Sequence, residues 1–301
     1  MKTQIQTADM PPRNIGDKVA NALIYIILIL VSLTCILPIL HVLAKSLSAD
    51  RFVMEKSVYI LPKGLTFAAF ERVIGDPSMV RSLVYTIIVT VLFTLIGMIL
   101  ITCAAYPLTK KRLKGRGVIS FIFLFTMYFS AGVIPEYMLI NNLNIINTPW
   151  AIILPLTFSA YNMIIMKSFI QTNIPDSLEE SAFLDGASHF TILTKIVLPL
   201  SKPIIATLCL FFAVGRWNAY QDSLYYITNA KFYVLQHKLF LLVGNASDAA
   251  SIAASEGSAV MGSPEVLKAA CIMFATIPIV CIYPFVQKYF VKGTMVGAVK
   301  G

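Results

Sequence analysis

Residues Leu83–Tyr106 read LVYTIIVTVLFTLIGMILITCAAY, and Pro107–Gly117 continue PLTKKRLKGRG. The first stretch carries no charge and exceeds the roughly 20 apolar residues that a helix needs to cross the hydrocarbon core of a bilayer. The second is a short link holding Lys110, Lys111, Arg112, Lys114 and Arg116 with no acid. Links of this length and charge resist translocation and stay on the cytoplasmic side. The pair predicts a membrane helix whose C-terminal end faces the cytoplasm, and a second helix that re-enters the bilayer from about Val118.

The rest of the chain agrees. Its 301 residues are 57% hydrophobic and only 13% charged, with mean hydropathy +0.78, whereas a soluble domain carries about 25% charged residues. That balance excludes an ordinary soluble enzyme, a disordered chain and a disulfide-rich secreted module. Six apolar runs are long enough to span: Val19–Leu43, Leu83–Tyr106, Val118–Ile140, Pro149–Phe169, Pro203–Tyr226 and Ala269–Val291. The first follows Arg13 and Lys18 as a signal peptide would. Its apolar run far exceeds the ~7–15 residues of a signal core, so it reads as a retained helix. Six spans with the 107–117 link inside put both termini in the cytoplasm. The inner links and tails then hold more lysine and arginine than the outer ones, by a modest margin.

The expectation is an all-α polytopic membrane protein with an inner tail 1–18, a six-helix domain 19–291 and an inner tail 292–301. Two polar segments, Ala44–Ser82 and Asn229–Lys268, lie outside. The net charge of +9 falls largely in short flanks beside apolar runs, which is a topology pattern and not a nucleic-acid face. Cys35, Cys103, Cys209, Cys271 and Cys281 all sit in apolar runs without CxxC or Cys/His spacing, and read as small core residues. Reactive constellations are missing too: there is no GxxxxGK[ST], HExxH or GxSxG, and His41, His189 and His237 are scattered. No catalytic residue, metal ligand or bound cofactor is expected. The chain reads as one that moves a solute without supplying its own energy.

The link between the fourth and fifth runs, Asn173–Pro203, reads NIPDSLEESAFLDGASHFTILTKIVLPLSKP. Pro175 blocks helix continuation, and Asp176 with Glu179 forms a D-x-x-E capping box that opens a helix over Ser177–Leu184. Gly186 supplies a turn that a β-carbon would oppose. Ser188 caps a second short helix, in which Phe190, Leu193, Ile196 and Val197 recur at helical spacing. Pro199 ends it and Pro203 starts the next span. The result is a compact knob shaped for a groove on another protein.

E-S-A-x-x-D-G-A, matched at Glu180, Ala182, Asp185, Gly186 and Ala187 with Ser181 where alanine is usual, is followed by I-x-L-P at Ile196, Leu198 and Pro199. This pattern resembles the EAA loop of binding-protein-dependent ABC importer permeases. FFAVGRWNAYQDSLYYI (Phe211–Ile227) is similar to the W-N signature of their carbohydrate-uptake branch. KYFVKGTMVGAVKG (Lys288–Gly301) resembles the end of the maltose-type permease, and SAGVIPEYMLINNLNIINTPWAIILP (Ser130–Pro155) resembles polysaccharide permeases such as alginate importers.

The resemblance implies the type I ABC importer permease fold, with loop 175–203 as a cytoplasmic coupling element in a bacterial inner membrane. It implies a second homologous permease subunit, two cytoplasmic ATPases that bind ATP and Mg, an extracytoplasmic solute-binding protein and a saccharide substrate. Glu180 would meet a basic residue of the ATPase, Gly186 would set the bend, and Ala182 and Ala187 would permit close approach. Gly293, Gly297 and Gly301 would dock at the ATPase dimer interface in a tail too glycine-rich for a stable helix. The outer 229–268 segment would reach the binding protein.

The fifth run also carries Arg216, Trp217, Asn218, Tyr220, Gln221, Asp222 and Tyr225. Arg216 and Asp222 are six apart on a continuous helix, off a common face, and are not expected to pair. Trp217, Asn218, Tyr220 and Gln221 offer the polar and aromatic contacts that sugars use, with Tyr128, Tyr137 and Asn162 as further pathway candidates. Helix–helix hydrogen bonding is the alternative role for these groups. The alternative function is a stand-alone facilitator or channel for small polar solutes, which needs no ATP.

Overall fold

The computed structural model describes residues 15–242, 244 and 263–298, and all regular structure among them is helical. The first eight helices are α1 (Ile15–Ser46), α2 (Asp50–Met54), α3 (Ala68–Gly75), α4 (Pro77–Thr109), α5 (Arg116–Tyr128), α6 (Val133–Asn142), α7 (Trp150–Ile153) and α8 (Ala160–Asn173). They are followed by α9 (Asp176–Leu184), α10 (His189–Leu200), α11 (Lys202–Asn218), α12 (Gln221–Tyr226), α13 (235–242) and α14 (Pro264–Ala298). The described residues divide into two compact units, one of 15–71 with 263–273 and one of 72–242 with 274–298.

In the first unit α1 is apolar on every side, and its large side chains from Val19 to Ile39 are exposed. Ser32 and Thr34 return their hydroxyls to the carbonyls of Leu28 and Leu30 at 2.7 and 2.9 Å, so neither is unpaired on that surface. Near the end of α1, His41 Nδ1 meets the Tyr59 carbonyl at 2.6 Å, a helix-end role. Lys45 pairs with Glu265, in the first turn of α14, at 3.0 Å.

The second unit is built around α4. Pro77 opens it and the Asp76 carboxylate accepts the Ser78 N–H at 2.8 Å, two start signals that fit the four unpaired N–H groups of a helix end. The Ser78 hydroxyl and the nearby Lys238 ammonium, 3.3 Å away, help hold the Asp76 carboxyl below the ordinary carboxylate range. α4 packs along α8 and α11. Their shared core takes Phe93, Ile101 and Leu108 from α4, Met163, Met166 and Ile170 from α8, and Leu208 and Phe212 from α11. Gly97 allows this approach, because a β-carbon there would lie 2.9 Å from the Phe212 ring and 3.0 Å from the Thr157 carbonyl. A second cluster gathers Val89, Ile140, Ile152, Ile153, Tyr226 and Val234.

Among the described residues three helical segments are long and apolar enough to cross a membrane: Lys18–Ser46, Pro77–Thr109 and Pro264–Ile282. Two bent pairs raise the number to five if each counts as one span. The other three expected runs are interrupted. Val118–Ile140 is α5 and α6 meeting at 114°, with the break at Gly132, whose φ of +87 and ψ of 169 suit glycine alone. Pro149–Phe169 is the single turn α7, then a loop through Pro155, then α8 capped by Ser159. Pro203–Tyr226 is α11 and α12, broken at Ala219–Tyr220. Hydropathy counts apolar residues and does not register such breaks.

One expectation is corrected at the C-terminal end. α14 continues through Gly293 and Gly297 to Ala298, where a non-helical tail was expected. Two glycines spaced a turn apart cost about 1 kcal/mol each, but they extend a helix whose costly nucleus already exists. Gly301 lies outside the described residues, as do residues 243 and 245–262 of the segment expected outside.

Candidate functional site

The knob forms, with a different start from the one expected. Pro175 is the N-cap of α9 with an extended ψ of 138, and no side chain caps the helix. Asp176 already lies in the helix, so its carboxylate cannot turn back over the first N–H groups, and the D-x-x-E capping box does not form. Both acids point to the basic link instead. Glu179 pairs with Lys110, its side chain only 9% exposed, and Asp176 pairs with Lys111 at 3.4 Å in full solvent.

The end of α9 explains the motif spacing. Gly186 has φ +81. Its N–H bonds to the Phe183 carbonyl at 3.0 Å, and the Ala187 N–H bonds to the Ala182 carbonyl at 2.9 Å. This is a Schellman motif, in which a left-handed residue lets two N–H groups return to the last turn. Ala182 and Ala187 are the two residues that such a motif brings into apolar contact, and both pack on the α4–α8–α11 core. A-x-x-D-G-A is therefore the local chemistry of one helix stop, with small side chains where the stop meets the bundle.

Ser188 then caps α10 by accepting the Thr191 N–H at 3.2 Å. Ile192 and Val197 are fully buried, Leu193 and Ile196 pack against the core, and Phe190, expected on that face, is 74% exposed. Pro199 has no N–H for the carbonyl four residues back and crowds it. The chain opens a π turn at Leu193–Val197, where the Leu198 N–H reaches the Leu193 carbonyl. At Ser201 the direction turns 82° into α11. Leu198 is half-buried and Pro199 exposed, at the base of the knob.

The 107–117 link closes against the knob from the side. Lys110 lies 4.3 Å over the Tyr106 ring. Arg112 lies 4.8 Å over the Phe183 ring and donates to His189 Nε2 at 2.9 Å. A guanidinium only donates, so His189 accepts there and carries its proton on Nδ1. These ties were not anticipated, although the opposite charges of the link and α9 on one side of a membrane were visible in the sequence. Glu180, Asp185, Leu184 (90% exposed) and Phe190 remain exposed on the knob.

The second concentration of polar groups surrounds Arg216, which is 2% exposed. It does pair with Asp222. Because α11 stops at Asn218, α12 is a separate turn that brings the carboxylate back to the guanidinium, where both oxygens are bonded, Oδ1 at 3.0 Å. Arg216 also donates to the Ile152 carbonyl at 2.9 Å and the Ala219 carbonyl at 3.2 Å. Those carbonyls belong to the ends of α7 and α11, which a cation stabilises. One side chain thus ties together three helix ends, at two interruptions.

The expected pathway residues are dispersed. Trp217 is buried, its indole N–H on the Ala275 carbonyl at 3.3 Å, so it packs helices together. Asn162 is buried. Asn218 is exposed with its amide on the Val214 carbonyl at 3.0 Å, and Gln221 is exposed. Tyr220 stacks on Phe240 at 5.1 Å and Tyr137 on Tyr226 at 6.2 Å. Tyr128 is 85% exposed. No group of three or more His, Cys, Asp or Glu side chains among the described residues could hold a metal ion.

The chain as a whole has relatives among known proteins. Residues 115–296 match the family described as binding-protein-dependent transport system inner membrane component. The chain belongs to this family. The polygalacturonan/rhamnogalacturonan transport system permease protein YtcP of Bacillus subtilis is 38% identical over 285 residues, covering 95% of this chain and 99% of that one. Protein LplC of the same organism is 38% identical over 269 residues, covering 88% and 90%. A chain in the crystal structure of a bacterial ABC transporter involved in the import of the acidic polysaccharide alginate is 31% identical. It superposes with a TM-score of 0.85 over 93% of this chain and 100% of that one. As an inner membrane component of this family the chain is a multi-pass permease subunit with the type I ABC permease fold.

Proposed function

We propose that this permease subunit forms half of the pathway of an ATP-driven importer for acidic oligo- or polysaccharides. A second permease supplies the other half, two cytoplasmic ATPases bind ATP and Mg, and an extracytoplasmic binding protein delivers the sugar. The chain itself is non-catalytic. The single observation that carries the reading is the knob, whose Schellman stop and exposed Glu180, Leu184, Asp185 and Phe190 suit a socket on an ATPase. An acidic substrate is supported by two relatives, one named for polygalacturonan and rhamnogalacturonan and one for alginate, all of which contain uronate.

In this reading the knob and the basic link face the cytoplasm with both termini, and the chain spans six times, with the interrupted runs lining the interior. Bent or broken segments are tolerated at membrane depth where they are buried in protein or line a cavity. Asn218, Tyr220, Gln221, Tyr128 and Tyr137 remain the pathway candidates, and Gly293 and Gly297 approach the ATPase pair on the end of α14. An ATPase-driven change must come from contacts that differ between the open and closed clamp.

The test is purification with bound partners, followed by ATPase assays with binding proteins loaded with uronate or neutral oligosaccharides. Stimulation by the uronate-loaded protein is expected. Flux through vesicles that contain this chain alone, independent of ATP, is the outcome that overturns the reading in favour of a facilitator.

A further inference from the structure

α9 is joined to its neighbours by two swivels. Ile174 and Pro175, both extended, connect it to α8, and Gly186 at φ +81 connects it to α10. Neither junction is helical, so the covalent path leaves the direction of α9 free to change. Lateral contacts limit that freedom: Ala182, Phe183 and Ala187 pack on the bundle core, and the residues that follow α4 add the polar ties. Lys110 holds Glu179 with the two side chains only 17% and 9% exposed. Arg112 grips both sides of the Gly186 swivel, through Phe183 before it and His189 after it, and those two rings meet edge to face at 4.7 Å. Lys111 and Asp176 are 86% and 75% exposed, and such a pair contributes little.

We propose that Lys110 and Arg112 are positioning residues that make α9 a rigid extension of α4. A push received by the knob then reaches the long membrane helix α4 directly, and not only through α10 into α11. The burial of the Lys110–Glu179 pair is what gives it this role, since a buried ion that loses its partner keeps an uncompensated charge and drives the helix to reorient toward water. The proposal rests on the knob being the ATPase joint.

The test uses the full transporter with its partners and three variants: Lys110→Met, Lys111→Met and the exchange Lys110→Glu/Glu179→Lys. Two readouts are taken: the ratio of binding-protein-stimulated to unstimulated ATPase, and amide hydrogen exchange within α9 of the assembled complex. Lys110→Met is expected to lower the ratio about fivefold or more and to speed α9 exchange about tenfold. Lys111→Met should change either by less than about twofold. The exchanged pair should recover most of both. Wild-type values for Lys110→Met, or an exchanged pair no better than the single variant, overturn the proposal. If Lys110→Met does not assemble, Glu179→Gln carries both readouts. A wild-type complex that no loaded binding protein stimulates, with α9 exchange still raised in Lys110→Met, would refute the importer reading and leave the tie standing.

Discussion

The knob at Asp176–Leu200 and the cluster around Arg216 both depend on broken helices, but they are assembled over different distances in the chain. The turns and caps that shape the knob join residues three to five apart: Gly186 to Phe183, Ala187 to Ala182, Thr191 to Ser188. The Arg216 cluster joins three separate helix ends, and its guanidinium reaches a carbonyl 64 positions away. Local bonds of the first kind are encoded by residue type at fixed offsets. Contacts of the second kind exist only once the bundle has packed.

The largest expected effect breaks the second region. Arg216→Met leaves the Asp222 carboxylate buried without its cation, which costs about 3–5 kcal/mol for pairs of this kind, and it strips donors from the Ile152 and Ala219 carbonyls. Thermal unfolding of the purified complex should show a steep loss, and little subunit should assemble. The exchange Arg216→Asp/Asp222→Arg should not rescue it, because the carbonyls need a donor at position 216. Rescue by that exchange would show that the charge pair alone matters, and that the cluster is no more than an ion pair.

This contrast explains what could be read beforehand. The turn at Gly186, the cap at Ser188 and the helix start near Pro203 were legible because each is a short-range constraint on φ, ψ or an unpaired N–H. The apolar runs were legible by hydropathy. Their interruptions at Gly132, Pro155 and Ala219–Tyr220 were not, since a run of apolar residues looks the same whether its helix is whole or broken. The Arg216–Asp222 pair was missed for that reason, because a spacing of six separates the two side chains on an intact helix. Trp217 was read as a pathway candidate with helix–helix hydrogen bonding as the alternative, and its indole N–H on the Ala275 carbonyl fits that alternative. Asp176 and Glu179 matched a capping box, but Pro175 occupies the cap position and the two acids answer to lysines 65 and 69 residues earlier.

The next effect sharpens the first region. A β-carbon at Gly186 would meet nothing within 4 Å, so only the left-handed backbone opposes substitution. Gly186→Val should cost more than the ~1–2 kcal/mol of an ordinary side chain there, because β-branching worsens it, and should cut uptake by an order of magnitude or more. Gly186→Asn, which tolerates this conformation, should retain most uptake. Equal loss in both variants would mean that the exposed surface at 186, and not the bend, makes the contact. A smaller change is expected from Ser188→Ala, about 1 kcal/mol for a lost N-cap, seen as faster amide exchange at His189–Thr191 with the complex intact.

The smallest effect lies on the α12–α13 side of the Arg216 cluster and tests whether that region responds to pH. His237 is buried, its Nδ1 at 2.9 Å from the Ser223 hydroxyl and its ring 4.2 Å from that of Tyr233. Burial pushes the imidazole below its ordinary 6.5, against the opposing pull of Asp222. A group whose folded pKa is depressed adds stability that is complete above the unfolded value, and that stability is lost as pH falls through the folded value. Acidification from about 7.5 to about 5.5, across the ordinary imidazole range, should therefore loosen α13 and speed amide exchange over 235–242. His237→Gln keeps a hydrogen-bonding group but cannot take a proton, and should abolish the dependence. A pH response that survives in His237→Gln would place the titrating group elsewhere, and would leave Asp222 serving Arg216 alone.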